Sequence, residues 1–145
     1  MNYWDTSLLV KLYAKERDSL IVEKKVKEIN EAILLINLHD LEFFNALNLK
    51  KWRNEISDED LALIRTRFKE HENRGVYYRP AIDWSQVYQI AISLSNSHTG
   101  NTGTRSLDVL HVAAAISLNS TIFFTNDKRQ QKLAELSGLQ TVILR

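Results

Sequence analysis

Short apolar runs alternate with helical patterns along the whole chain, and this alternation limits the possible folds more than any other feature. "NYW" is strand-like and leads into the helical stretch "SLLVKLYAKE". A second helix, over residues 19–30, precedes the strand-like "AILLI". Asn37 is the expected N-cap of a helix that runs to Trp52. Ser57 and Asp60 stand in capping-box spacing ahead of Leu61, Ile64 and Phe68, and that helix closes on Gly75. "VYYR" reads as the next strand. Asp83 and Gln86, again in capping-box spacing, open a helix with Val87, Ile90, Ala91 and Leu94 along one face. The polar stretch "SNSHTGNTGTR", residues 95–105, reads as a loop. Beyond it come a helix over 106–119, the strand "TIFFT", a helix from Lys128 to Ser137 ended by Gly138, and the strand "QTVIL". Strands separated by helices call for a parallel sheet covered on both faces. The expected fold is therefore α/β: one domain over residues 1–145, a three-layer α/β/α sandwich around a central parallel sheet of about five strands.

A chain of 145 residues is long enough for one domain with a real core. Its apolar runs fall far short of the roughly 20 residues that span a bilayer. "MNYWDTS" has no basic segment followed by an apolar one, so no secretion signal is expected. The absence of cysteine excludes disulfides, thiolate metal sites and cysteine nucleophiles, and fits a cytoplasmic protein. No G-x-S-x-G and no glycine-rich phosphate cradle is present, which argues against serine hydrolase and P-loop chemistry.

In "RSLDVLHVAAAISL", residues 105–118, the helix is apolar on nearly every side, as buried helices are. Asp108 interrupts it. With Ser106 as N-cap, Asp108 lies in the first turn, where the helix dipole favours a carboxylate by about 0.3–1 kcal/mol. Three other carboxylates pose the same question. Asp5 directly follows the first strand and has a plain alternative as an Asx-turn residue. Thr6 and Ser7 beside it share that alternative, Ser7 as an N-cap. Glu42 shares an apolar stripe with Leu38, Ala46 and Leu49, beyond the reach of the dipole at the Asn37 end. Asp127, with Gln130 three residues on, again has capping-box spacing.

In parallel sheets, ligands bind beyond the carboxyl ends of the strands. Such a sheet would bring Asp5, Glu42, Asp108 and Asp127 to one edge. Clustered carboxylates must protonate, spread apart or bind cations. An oxygen-only donor set selects a hard cation such as Mg²⁺ or Mn²⁺. Such ions activate water and bridge phosphate oxygens, so the cluster predicts metal-dependent phosphodiester chemistry. Net charge is +1, and with four acidic charges gathered in one site the rest of the molecule stands at +5, enough to hold a polyanion.

Four blocks, "MNYWDTSLLVKLY", "DLEFFNAL", "RSLDVLHVAAA" and "FFTNDKRQQKLAELSGL", resemble in order and spacing the signature blocks of PIN-domain ribonucleases. Among these the chain is most similar to the VapC-type toxins of toxin–antitoxin pairs. The resemblance runs from Asn2 to Val142. It implies an α/β/α fold with acidic residues holding Mg²⁺ or Mn²⁺ at the carboxyl edge of the sheet. Asp5, Glu42, Asp108 and Asp127 would be that set, with Thr6 or Ser7 adding a hydroxyl. Either Asn126 or Asp127 of "TND" would face the metal. The resemblance also implies hydrolysis of RNA, such as tRNA, by metal-activated water, silencing by a small antitoxin protein, and a homodimer.

Lys11, Arg105, Lys128 and Arg129 stand near these blocks and could grip phosphates. Solvated surface charge is the alternative, favoured for Lys11 and Lys128, while Arg105 lies only three residues before Asp108. His111 lies at i+3 from Asp108, but its apolar helix favours a hydrogen-bonded core histidine. His39 and His98 have no partner in the sequence pattern, and His71 sits among charges on an exposed face. Trp52 and Trp84 could be either core or interface residues. A phosphoacceptor receiver domain also places Asp after its first strand, but "FFNALNLKKWRNEIS" is helical where its acceptor strand would end. Two alternatives within the resemblance are a PIN nuclease of RNA processing and a catalytically silent module that binds RNA or protein. Clustered negative charge has no use in a silent RNA binder, and an antitoxin encoded next door would mark a toxin.

Overall fold

The structure is a computed structural model that describes all 145 residues. It is α/β, as expected, and all of its strand pairs are parallel. In chain order the elements are β1 (Asn2–Trp4), α1 (Thr6–Tyr13), α2 (Ser19–Ile29), β2 (Ile33–Leu34), α3 (Asn37–Trp52), α4 (Asp58–Asn73) and β3 (Tyr77–Tyr78). They continue with α5 (Trp84–Leu94), a π-helical turn (Ser95–Thr99), α6 (Gly100–Thr102), α7 (Ser106–Ser117), β4 (Ile122–Phe124), α8 (Lys128–Leu136) and β5 (Gln140–Val142). No helix is long and apolar enough to cross a membrane. The five strands do not form one continuous sheet. They divide into a three-stranded sheet, β1-β4-β5, and a two-stranded one, β2-β3. The chain correspondingly resolves into two compact units, one of Met1–Asp5 with Pro80–Leu144 and one of Thr6–Arg79.

In the first unit β4 is central, with Tyr3 opposite Phe123 and Trp4 opposite Phe124. Both aromatic pairs stack across the strands, with ring centroids 5.3 and 4.1 Å apart. Cross-strand aromatic contacts of this kind add to what area burial alone provides. α7 is buried from Val109 to Ala115, which explains its apolar circumference. Its N-cap is Arg105, not Ser106, so Ser106 is already helical and Asp108 stays in the first turn.

Of the loop expected over residues 95–105, only 103–105 are without helix. α5 runs on through the π-helical turn and α6, and the chain turns only at Gly103, whose φ is +66°. Small polar residues permit this continuation, because none of Ser95–Thr102 blocks a helical backbone as proline would. Gly103 then takes the left-handed conformation that ends it.

In the second unit, Leu8, Leu9, Leu34, Leu35, Phe43 and Leu47 are fully buried. Ser57 caps α4 reciprocally with Asp60, each backbone N–H donating to the other side chain at 3.0 Å, as the spacing predicts. At α3 the expected cap is displaced by one residue. Ile36 is the N-cap and Asn37 is helical. Ile36 has no polar side chain, and the buried His39 compensates by accepting the Ile36 N–H on Nδ1 at 3.1 Å. His71 is half-buried, in contrast to the exposed position expected for it. Its Nδ1 meets the Tyr13 hydroxyl at 2.6 Å, and Tyr13 also hydrogen-bonds Tyr77.

Candidate active site

The register of β1 against β4 sets one edge of the three-stranded sheet. Beyond Trp4, the Asp5 N–H donates to the Phe124 carbonyl at 2.9 Å, extending the ladder by one step. Asp5 is 7% exposed, an unusual position for a carboxylate. On the paired strand the chain leaves Phe124 through Thr125, Asn126 and Asp127 before α8 begins.

Asp127 is the N-cap of α8 and accepts the Gln130 N–H on Oδ1 at 2.8 Å. Thr125, fully buried, holds the turn: its hydroxyl accepts the Asp127 N–H at 3.0 Å and donates to Gln130 Oε1 at 2.7 Å. The Gln130 side chain therefore bonds Thr125 instead of reaching back to the N-cap, and its Nε2 is buried without a partner. Asn126 is committed elsewhere. Its amide donates to the Leu144 carbonyl and accepts the Leu144 N–H, both at 2.7 Å. Of the two neighbours in "TND", Asn126 fastens the C-terminal segment and Asp127 turns towards open space.

That space is a cleft of about 370 Å³ lined by Arg105, Asp108, Asp127, Lys128 and Arg129. Two of the four singled-out carboxylates thus share a wall with three of the four singled-out cations. Behind Arg105, the buried hydroxyls of Thr102 and Thr104 bond each other at 2.7 Å. Asp108 and His111 lie one turn apart on α7, and His111 is a core histidine: its buried Nδ1 meets the Tyr3 hydroxyl at 2.7 Å. Tyr3 and Asp5 share a face of their strand by its period of two. The Tyr3–His111 bond therefore ties together the two elements that carry Asp5 and Asp108. The period-two spacing of Tyr3 from Asp5 and the i+3 spacing of His111 from Asp108 were the available signals for this pair. The roles of Thr125 and Asn126 left no such signal.

The remaining positions lie in the unit of residues 6–79. Thr6, buried at the start of α1, donates its hydroxyl to Glu42 Oε1 at 2.9 Å. Ser7 lies inside α1 and is not its N-cap; it lines a separate groove with Val10, Glu16, Ala46, Leu49, Lys50 and Arg53. Lys11 is held by Glu16 at 3.1 Å and by the Arg17 carbonyl at 2.9 Å.

Every donor in the acidic set is oxygen, which suits a hard divalent cation. No three His, Cys, Asp or Glu side chains form a group able to hold a metal ion by themselves. These facts are compatible with Mg²⁺, which is commonly bound through one or two carboxylates, with waters and substrate phosphates completing the shell. The PIN domain family model matches residues 3–136 of the chain. No curated protein matches it.

Proposed function

The chain belongs to the PIN-domain family, and from that premise we propose that it is a Mg²⁺- or Mn²⁺-dependent endoribonuclease, the toxin of a VapBC-type toxin–antitoxin pair. PIN domains are typically nucleases. The observation that carries the reading is the cleft in which Asp108 and Asp127 stand beside Arg105, Lys128 and Arg129. Carboxylates and cations that share one wall suit a phosphodiester and a metal together. Either sign alone would suit only one of them.

Of the acidic set Asp5, Glu42, Asp108 and Asp127, the two that share the cleft, Asp108 and Asp127, would hold the metal, with waters and substrate phosphates completing its shell, while Thr6 orients Glu42 through their hydrogen bond. A bound Mg²⁺ or Mn²⁺ would supply Lewis acidity and a water acidified enough to act as nucleophile near neutral pH. The chain's own residues do the rest. Asp127, fixed through Oδ1 by the Gln130 N–H, presents its charge without losing further side-chain freedom. Arg105, Lys128 and Arg129 attract the phosphate and offset its repulsion from the two carboxylates. RNA such as tRNA as substrate, a small antitoxin protein as silencing partner and a homodimer as assembly all belong to this proposal.

A second reading, a catalytically silent PIN module, is favoured by one observation: no three donors group closely enough to hold an ion by themselves. Incubation of the wild type and Asp108→Asn with a tRNA mixture separates the two. The nuclease reading predicts cleavage with Mg²⁺ or Mn²⁺, none in chelator, and loss in the variant. Intact RNA under all conditions would leave the silent module.

A further inference from the structure

The helix α3 and its C-cap Arg53 end in "KKWR", residues 50–53, where a tryptophan stands among three cations. Trp52 is 79% exposed, more than any other large apolar side chain in the molecule. No aromatic neighbour packs on it, whereas Trp4 is stacked on Phe124. Lys50 is drawn to Glu16 at 2.7 Å and Glu55 at 3.4 Å, and Lys51 to Asp58 at 3.5 Å. Arg53 enters no ion pair and is exposed, so its charge is uncommitted.

Glu42, Ala46, Leu49 and Arg53 follow one another at spacings of four, three and four, a single stripe along α3. Ala46, Leu49 and Lys50 of α3, its C-cap Arg53, Ser7 and Val10 of α1, and Glu16, whose charge is met by Lys11 and Lys50, line a groove of about 230 Å³. One end of the stripe is the carboxylate that accepts the Thr6 hydroxyl, and the other is a free guanidinium beside an exposed indole. Ten residues of helix separate Glu42 from Trp52, a rise of about 15 Å.

We propose that the α1–α3 groove and its Trp52–Arg53 end bind a single-stranded segment of RNA, with one base stacked on the Trp52 indole and a backbone phosphate on Arg53. The proposal rests on the nuclease reading, from which it takes RNA as the ligand. Stacking on an exposed indole is tolerant of base identity, because every base has a π-face. Uncommitted positive charge beside the indole suits nucleic acid, which pairs stacking with phosphate attraction. Leu49, half in the groove and one turn before Trp52, continues the apolar surface beneath the strand.

The test is a titration of the full chain in chelator with a fluorescently labelled single-stranded oligouridylate, followed by anisotropy and by quenching of tryptophan emission. The wild type should bind with quenching. Trp52→Ala should weaken binding by about tenfold, and Trp52→Phe should keep it within about threefold, since a phenyl ring still stacks. Arg53→Gln should flatten the log–log dependence of affinity on salt by about 0.7. Both residues are exposed, so each variant should melt with the wild type. Wild-type binding that neither variant alters would overturn the groove proposal and leave the nuclease reading standing. Absence of oligouridylate binding by the wild type would overturn the groove proposal, and intact tRNA with Mg²⁺ or Mn²⁺ would overturn the nuclease reading beneath it. A change of oligomeric state in Trp52→Ala with RNA affinity unchanged would assign the indole to a contact between copies and likewise overturn the proposal.

Discussion

In the unit of residues 6–79, half-buried charges are matched against one another. Glu16 lies between Lys11 at 3.1 Å and Lys50 at 2.7 Å. Arg79 forks onto both oxygens of Asp40 at 2.7 and 2.9 Å and also bonds Glu72. The unit that carries β1, β4 and β5 is arranged differently. Arg105, Lys128, Arg129 and Asp127 share a cleft, yet no ion pair involves any of the four. A charge already matched by its neighbours has structural work and little capacity for a ligand. Charges of both signs that share a wall without cancelling can still receive a cation and a phosphate. The difference between the units thus separates structural charge from available charge.

The pKa directions in the helical unit express the same matching. Burial alone would push the Glu16 carboxyl up, but hydrogen bonds from Lys50 and Lys11 outweigh it and hold Glu16 below the usual carboxylate range. Burial would likewise lower Lys50, and Glu16 and Glu55 raise it instead. Arg79 is raised chiefly by its hydrogen bonds to Asp40.

The largest expected effect falls on the cleft. Asp108→Asn should lower RNA cleavage by at least about a hundredfold, the scale on which one electrostatic group matters at a reacting phosphate. Its metal-free melting should stay within about 1 kcal/mol of wild type, because asparagine keeps the size and oxygen acceptor of the side chain and removes its charge. Clear destabilisation without metal would move Asp108 to the structural side of the comparison.

Arg79→Ala should do the reverse, costing about 1 kcal/mol once solvent screening of these partly exposed groups is allowed for. Denaturant midpoints measure that cost, and cleavage by the folded variant should be unchanged. Asp127 has both a cap and a cleft to serve, and two substitutions divide them. Asp127→Ala removes the cap and should cost about 1 kcal/mol, whereas Asp127→Asn keeps it and should cost only a few tenths. Both should impair cleavage equally if the charge is what the cleft needs.

The last effect is confined to alkaline pH and belongs to Tyr13, which is pushed up to about 12, mainly by burial. The unfolded chain loses this proton near pH 10, while the folded chain keeps it. The resulting stability is complete below about pH 10 and is lost as pH rises through the folded value. Melting curves between neutral and strongly alkaline pH should therefore fall less steeply for Tyr13→Phe than for the wild type.

Much of this organisation was legible in the sequence, for identifiable reasons. Parallel strands and intervening helices announced themselves through period, and the cap at Ser57 through the chemistry of Asp60 three residues on. The displaced caps were not legible, because at Ile36 the capping atom belongs to His39 and at Arg105 no side chain caps at all. Residues 95–102 read as a loop because small polar residues are common in loops, yet nothing in them forbids a helical backbone. Breaks between strand pairs leave no mark in short apolar runs, so one sheet of five strands could not be told from sheets of three and two. At the site, the strand-end positions of Asp5 and Asp127 and the first-turn position of Asp108 were readable. Asn126 and Asp127 could not be told apart until the partner of Asn126, the backbone of Leu144, was seen 18 residues away.

Whether the cleft holds a cation is tested most directly by calorimetric titration of Mn²⁺ into the metal-stripped wild type and Asp108→Asn. Binding to the wild type that weakens sharply in the variant is the predicted result, with a rise in wild-type melting temperature in millimolar Mg²⁺ or Mn²⁺ as its companion. Equal binding to both proteins, or binding to neither, would contradict the account and return Asp108 to the helix dipole.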